Sequence, residues 1–125
     1  MNGLTYDTGA LIAAERGDRR MWALHRRTLE RGRPPTVPAV VLVEAWRGAV
    51  QTSRLLQGCA IEALEDLNAR AAGALLGTCS RDVEACDATV VEGAIRRRDT
   101  VVSGNRAHMV ALAQGVAKRL DVIDV

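Results

Sequence analysis

Residues 83–105 read VEACDATVVEGAIRRRDTVVSGN, and this stretch decides the fold class. Val83, Asp87, Val90, Val91 and Ala94 recur at helical spacing, which predicts an amphipathic helix over Val83–Arg97 with one face turned inward. Thr100–Ser103 is a short β-branched run between Asp99 and Gly104, the pattern of a strand. A helix that feeds directly into a strand is half of an alternating unit, and the flanking sequence supplies further copies.

Toward the N-terminus, Leu4–Asp7 predicts a strand entering Thr8, a residue suited to cap a helix through Leu11–Glu15 that breaks at Gly17. Asp18 is expected to cap a second helix carrying Met21, Leu24 and Leu29, which Gly32 and Pro34–Pro35 end. Thr36–Pro38 predicts a brief strand, with Pro38 opening a helix to about Arg47 that Gly48 closes. Arg54–Gly58 predicts a short helix, Ile61–Leu64 a strand, and Leu67–Leu76 a helix ending at Gly77. Toward the C-terminus, His108–Arg119 predicts a helix and Val122–Val125 a last strand. Alternating strands and helices predict an α/β fold, a doubly wound, mostly parallel sheet flanked by helices.

The 125 residues are expected to form one domain, 1–125, large enough to bury a core without staples. Hydrophobic residues make up 48% of the chain, yet there is no Phe, one Tyr and two Trp, so Val, Leu, Ile and Ala must fill the interior. No apolar run reaches the ~18–20 residues of a membrane span. The N-terminal residues lack the basic stretch and small-residue cleavage site of a signal peptide, and a cytoplasmic protein is expected. Cys59, Cys79 and Cys86 form no CxxC pair and read as buried thiols in a reducing compartment. Of the 17 cations 16 are Arg, clustered at Arg19–Arg20, Arg26–Arg27 and Arg96–Arg98. The planar guanidinium suits phosphate, so these clusters read either as a nucleic-acid surface or as solvated helix faces. No GxGxxG, GxxxxGK[ST] or GxSxG motif is present, which removes the phosphate cradles and nucleophile elbow of the common nucleotide-binding and hydrolase folds.

Three acids stand in apolar surroundings. Asp7 is the one charged side chain between Met1 and Ala14, at the end of the first predicted strand. Glu44 is the one charged residue between Pro34 and Trp46, with Val37, Val40 and Val41 on its own helix face. Asp87 falls in the apolar stripe of its helix. An ionised carboxylate against an apolar face costs several kcal/mol unless compensated. Either each acid finds its own structural partner, or all three converge on a divalent cation. Hard oxygen ligands with few imidazoles favour Mg²⁺ or Mn²⁺ over zinc. In an open parallel sheet, ligands gather beyond the carboxyl ends of the strands, where Asp7 is expected.

These residues resemble the PIN-domain family, specifically its VapC-like toxins, over nearly the whole chain. The matching segments are LTYDTGALIA with Asp7, VPAVVLVEAWRG with Glu44, and VEACDATVVEGAIRRRDTVVSGN with Asp87 and the strand before a fourth motif. The resemblance implies Mg²⁺- or Mn²⁺-dependent endonucleolytic cleavage of RNA. Asp7, Glu44 and Asp87 would be metal ligands, and Ser103 a hydroxyl near the metal. It also implies a small cognate antitoxin, RNA as substrate, and a homodimer. The chain departs from the family where Ser103-Gly104-Asn105 and then His108 stand in place of Thr-Ser/Gly-Asp and a further acid. The fourth acid is an amide and the accessory acid an imidazole, which removes charge from the pocket. The alternative is therefore a catalytically impaired RNA- or antitoxin-binding module on the same fold. A rival site is Arg20 with His25, spaced like the Arg-x4-His pair of metal-free HEPN ribonucleases.

Overall fold

The computed structural model describes residues 2–125. Five short strands, β1 (Leu4–Tyr6), β2 (Thr36–Pro38), β3 (Ala60–Glu62), β4 (Thr100–Ser103) and β5 (Val122–Asp124), form one sheet in the order β3-β2-β1-β4-β5. Every pairing is parallel, with Tyr6 opposite Val102 and Ser103 opposite Asp124. The chain winds outward from β1 to β3, then returns past β1 to β4 and β5. The winding direction therefore reverses between β1 and β4.

Seven helices make the connections: α1 (Thr8–Glu15), α2 (Arg19–Glu30), α3 (Ala39–Ala45), α4 (Val50–Gln57), α5 (Asp66–Thr78), α6 (Ala85–Arg97) and α7 (Arg106–Gln114). Helix α1 packs on α2, α3 and α4, whereas α5, α6 and α7 pack on one another. Two helical groups are what right-handed crossovers impose when winding reverses, one group on each face. The β-branched runs follow from this burial on both sides: Leu4, Val37, Val101 and Val102 are all buried. Tyr6 is the one aromatic ring fully inside, and its hydroxyl meets His25 Nδ1 at 2.9 Å.

Several expected boundaries move. Asp7, not Thr8, caps α1, its Oδ1 accepting the Ala10 N–H at 3.0 Å. The helix expected to reach Arg47 stops at Ala45, because Trp46 is extended and Gly48 turns the chain with φ +79°. Helix α4 begins at Val50, β3 at Ala60, and α7 at Arg106 under the Asn105 cap. Asp18 caps α2 as expected, accepting the Met21 N–H at 2.8 Å. Among the described residues, no helix is long and apolar enough to cross a membrane.

Candidate metal centre

Asp7 follows β1 directly, and its N–H continues the sheet by donating to the Val102 carbonyl at 3.1 Å. It is only 5% exposed. Oδ1 caps α1, Oδ2 accepts the Gly104 N–H at 3.3 Å, and the Ser103 hydroxyl donates to the same carboxylate. Burial pushes the Asp7 pKa up; the Ser103, Ala10 and Gly104 donors oppose the rise, and the charge of Asp87 adds to it. This contact between α1 and the β4–α7 connection requires glycine. A Cβ on Gly9 would lie 2.6 Å from the Gly104 nitrogen.

Asp87 reaches the same point from the first turn of α6, where the exposed N–H ends favour a carboxylate. Its Oδ2 lies 3.1 Å from His108 Nδ1. Asp7 and Asp87, eighty residues apart in sequence, thus lie near enough beyond the carboxyl ends of β1 and β4, at the reversal of winding, for the charge of Asp87 to add to the rise in the Asp7 pKa. Ligand sites of open α/β sheets fall at this position.

Glu44 is a correction to the apolar setting expected for it. Helix α3 buries Val41 and Ala45, an i,i+4 stripe that leaves Glu44 turned to solvent. Its carboxylate is nevertheless fixed, since Oε1 accepts the Thr8 hydroxyl at 2.7 Å. The Cys86 thiol donates to it as well, and these two donors hold its pKa below the usual value. Burial first, then the Glu44 carboxylate, pushes Cys86 up to about 12, so the thiol keeps its proton. Thr8 and Cys86, which tie the Glu44 carboxylate to Asp7 and Asp87 through their chain neighbours, were missed in the sequence. The signal was there: each is adjacent to one of the two acids.

Ser103 is buried beside Asp7 and also accepts the Asn105 N–H at 2.8 Å. Asn105 is exposed and caps α7 toward the His108 N–H at 3.5 Å, while its Nδ2 lies 2.8 Å from His108 Nδ1. The position of the missing fourth acid is therefore used as a helix cap.

The rival pair does not form a site. His25 is buried between Tyr6 and Trp22, its ring centroid 5.8 Å from each, while Arg20 is exposed at the start of α2. The Arg clusters also divide. Arg96 and Arg97 bind Glu62, Glu92 and Asp99, so they are neutralised inside the molecule. Arg19, Arg20, Arg26 and Arg27 are exposed and make no ion pair among the described residues.

The donor chemistry fits one hard divalent cation better than two. Two carboxylates converge, one of them buried with its pKa raised in part by the other, which is the repulsion a cation relieves. The third carboxylate stands off at Thr8, and among the described residues no three His, Cys, Asp or Glu side chains are gathered into a metal-holding group.

The chain matches no known protein family and no curated protein. Solved structures do share its fold. It is similar to a chain of a toxin–antitoxin complex from Klebsiella pneumoniae, at 20% identity and a TM-score of 0.66, covering 97% of this chain and 96% of that one. It is also similar to PAE2754 from Pyrobaculum aerophilum, at 18% identity and a TM-score of 0.59, covering 99% of this chain and 91% of that one. At these identities the likeness shows the fold: an α/β architecture with a five-stranded parallel sheet, shared with a component of a toxin–antitoxin complex.

Proposed function

We propose that the chain is a metal-dependent endoribonuclease of the PIN-domain, VapC-like type, acting as the toxin of a bacterial toxin–antitoxin pair. The observation that carries this reading is the buried Asp7 carboxylate at the reversal of winding, with the charge of Asp87 near enough to add to its raised pKa. Similarity to a chain of a toxin–antitoxin complex supports the partner class.

Asp7 and Asp87 would hold Mg²⁺ or Mn²⁺, with Glu44 standing off at the mouth. A bound ion would supply Lewis-acid polarisation of a phosphate oxygen and a water of lowered pKa. The chain's own groups do the rest. Ser103 and the Gly104 N–H fix the Asp7 carboxylate, and Thr8 and Cys86 aim that of Glu44. Glu44, exposed and with its pKa held low by Cys86 and Thr8, is ionised and would orient the attacking water as a hydrogen-bond acceptor. The unpaired arginines of α2 stand ready for the RNA backbone.

A cognate antitoxin and a second copy of the chain are the protein partners of this reading. Val43, Val50 and Leu67 are 75%, 72% and 84% exposed on α3, α4 and α5, apolar surface that a partner would cover. A second reading, a binding module with an impaired centre, is favoured by one observation: His108 occupies the Asp87 carboxylate while Asn105 supplies an amide. Single-turnover cleavage of RNA with Mn²⁺, with Mg²⁺ and in EDTA decides between the two. Cutting that needs the metal and is lost in Asp87→Asn supports the nuclease; no cutting by the intact protein with either metal leaves the binding module.

A further inference from the structure

The outer face of α2 contains a groove that the carboxylate pocket does not use. Its volume is about 390 Å³, and it runs between α2 and the β5 edge of the sheet. Met21, Leu24 and Ile123 make an apolar floor, while Arg20 and Arg27 stand on its wall. These two are seven residues apart on one helix, about 10 Å along its axis. With Arg19 and Arg26 they form an arginine cluster that makes no ion pair with protein carboxylates among the described residues. Two acids also line the groove, and both are engaged. Asp18 caps α2, and Asp124 is held by Arg106 through contacts of 3.0–3.1 Å.

The groove opens at the same end of the sheet as the acidic pocket. Asp124 is the strand neighbour of Ser103, the residue that donates to Asp7. Arg106, which bridges to Asp124, follows the Asn105 cap directly. A chain of residues on β4, β5 and α7 thus connects the two features.

We infer that the α2–β5 groove is a binding path for single-stranded RNA, with Arg20 and Arg27 on separate phosphates of one strand and the Leu24–Ile123 floor, over buried Met21, under the sugars and bases. The inference deepens the ribonuclease reading and rests on it for direction, since it assigns the track along which substrate leaves the carboxylates. Phosphodiester polyanions suit the groove better than an acidic peptide. Unpaired guanidiniums repeat along the helix, and the track continues to a site built for a phosphate and its cation.

The test is binding of a fluorescein-labelled short single-stranded RNA in EDTA, where no metal-dependent cleavage occurs. Arg20→Gln with Arg27→Gln is expected to weaken binding about tenfold and to flatten the plot of log K against log salt by about 1.4, or ~0.7 per lost phosphate contact. Arg70→Gln, an exposed arginine on α5 paired with Asp66, is the control and is expected to leave both unchanged. Both substitutions are on the surface, and equal melting temperatures verify the fold. Undetectable binding by the intact protein, or an unchanged salt slope in the double variant, overturns the inference. Displacement of the RNA by polyglutamate at equal charge concentration overturns it too, in favour of an acidic protein partner. Metal-dependent cleavage is measured separately, so a protein that binds RNA through Arg20 and Arg27 but never cuts it refutes the nuclease and keeps the groove.

Discussion

Asp87 Oδ2 and His108 Nδ1 lie 3.1 Å apart, joining the first turn of α6 to that of α7 across the mouth of the pocket. Both helices belong to the group on one face of the sheet. A cation taken by Asp87 would have to displace or share this imidazole contact.

Mn²⁺ or Mg²⁺ is accordingly expected to raise the melting temperature, because binding to the native state alone stabilises it. Asp87→Asn should abolish that shift. It should leave metal-free stability nearly unchanged, since losing the charge that adds to the burial-driven rise in the Asp7 pKa offsets the loss of a carboxylate at the α6 N-terminus. Differential scanning fluorimetry with and without metal measures both, and a shift that survives in Asp87→Asn removes Asp87 from the ligand set.

At position 105 a carboxylate would add charge beside the pocket where the amide offers a neutral oxygen. Asn105→Asp should tighten Mn²⁺ binding by calorimetric titration, with Mn²⁺ binding more tightly than Mg²⁺ in both proteins. Asp caps a helix as well as Asn does, so folding should be unaffected. Equal dissociation constants would mean that the residue serves α7 alone.

Gly9 and Gly73 form a matched pair for the backbone contact that seats Asp7. Gly9→Ala drives a methyl to 2.6 Å from Gly104 and should cost about 1–3 kcal/mol in urea unfolding. Gly73→Ala, in α5 with nothing within 4 Å of the new methyl, should stabilise by about 0.5–1 kcal/mol. A neutral Gly9→Ala would show that the α1–Gly104 contact yields without strain.

Burial lowers the His25 pKa below its ordinary 6.5. The neutral ring is the form the fold accepts, so its contribution is complete above pH 6.5 and is lost as pH falls from there through the depressed folded value. Asp7 acts oppositely: its pKa is raised, so the native state is favoured at pH values below its titration and loses that advantage as pH rises. Urea denaturation at a series of pH values should show a loss of stability below pH 6.5 that His25→Gln removes. The same acid slope in His25→Gln would assign it to other groups.

The layered architecture was legible because period and punctuation agreed. Thr36–Pro38 and Thr100–Ser103 are the strands expected, and Asp18 caps the helix it was expected to cap. Other features depended on contacts distant in sequence. Asp7 and Thr8 are both capping residues, and β4 decides between them by drawing Asp7 into line with Val102. Glu44 looked buried because its neighbours are valines, but a seven-residue helix has room for one inward stripe, and Val41 and Ala45 take it. The pairing of Arg97 with Glu62 spans 35 positions, so no local pattern could separate the neutralised arginines of α6 from the unpaired ones of α2.

The central position of β1 has a consequence for the timing of assembly. The Gly104 N–H that holds Asp7 comes 97 positions after that acid, directly behind the partner strand β4. A chain emerging from the ribosome can form β1, β2 and β3 with their helices while Asp7 still lacks Ser103 and Gly104. Contacts of such long separation are also slow to close. The carboxylate pocket is therefore among the last parts of the molecule to exist, and a nascent chain that has not yet exposed β4 carries the acids without the site.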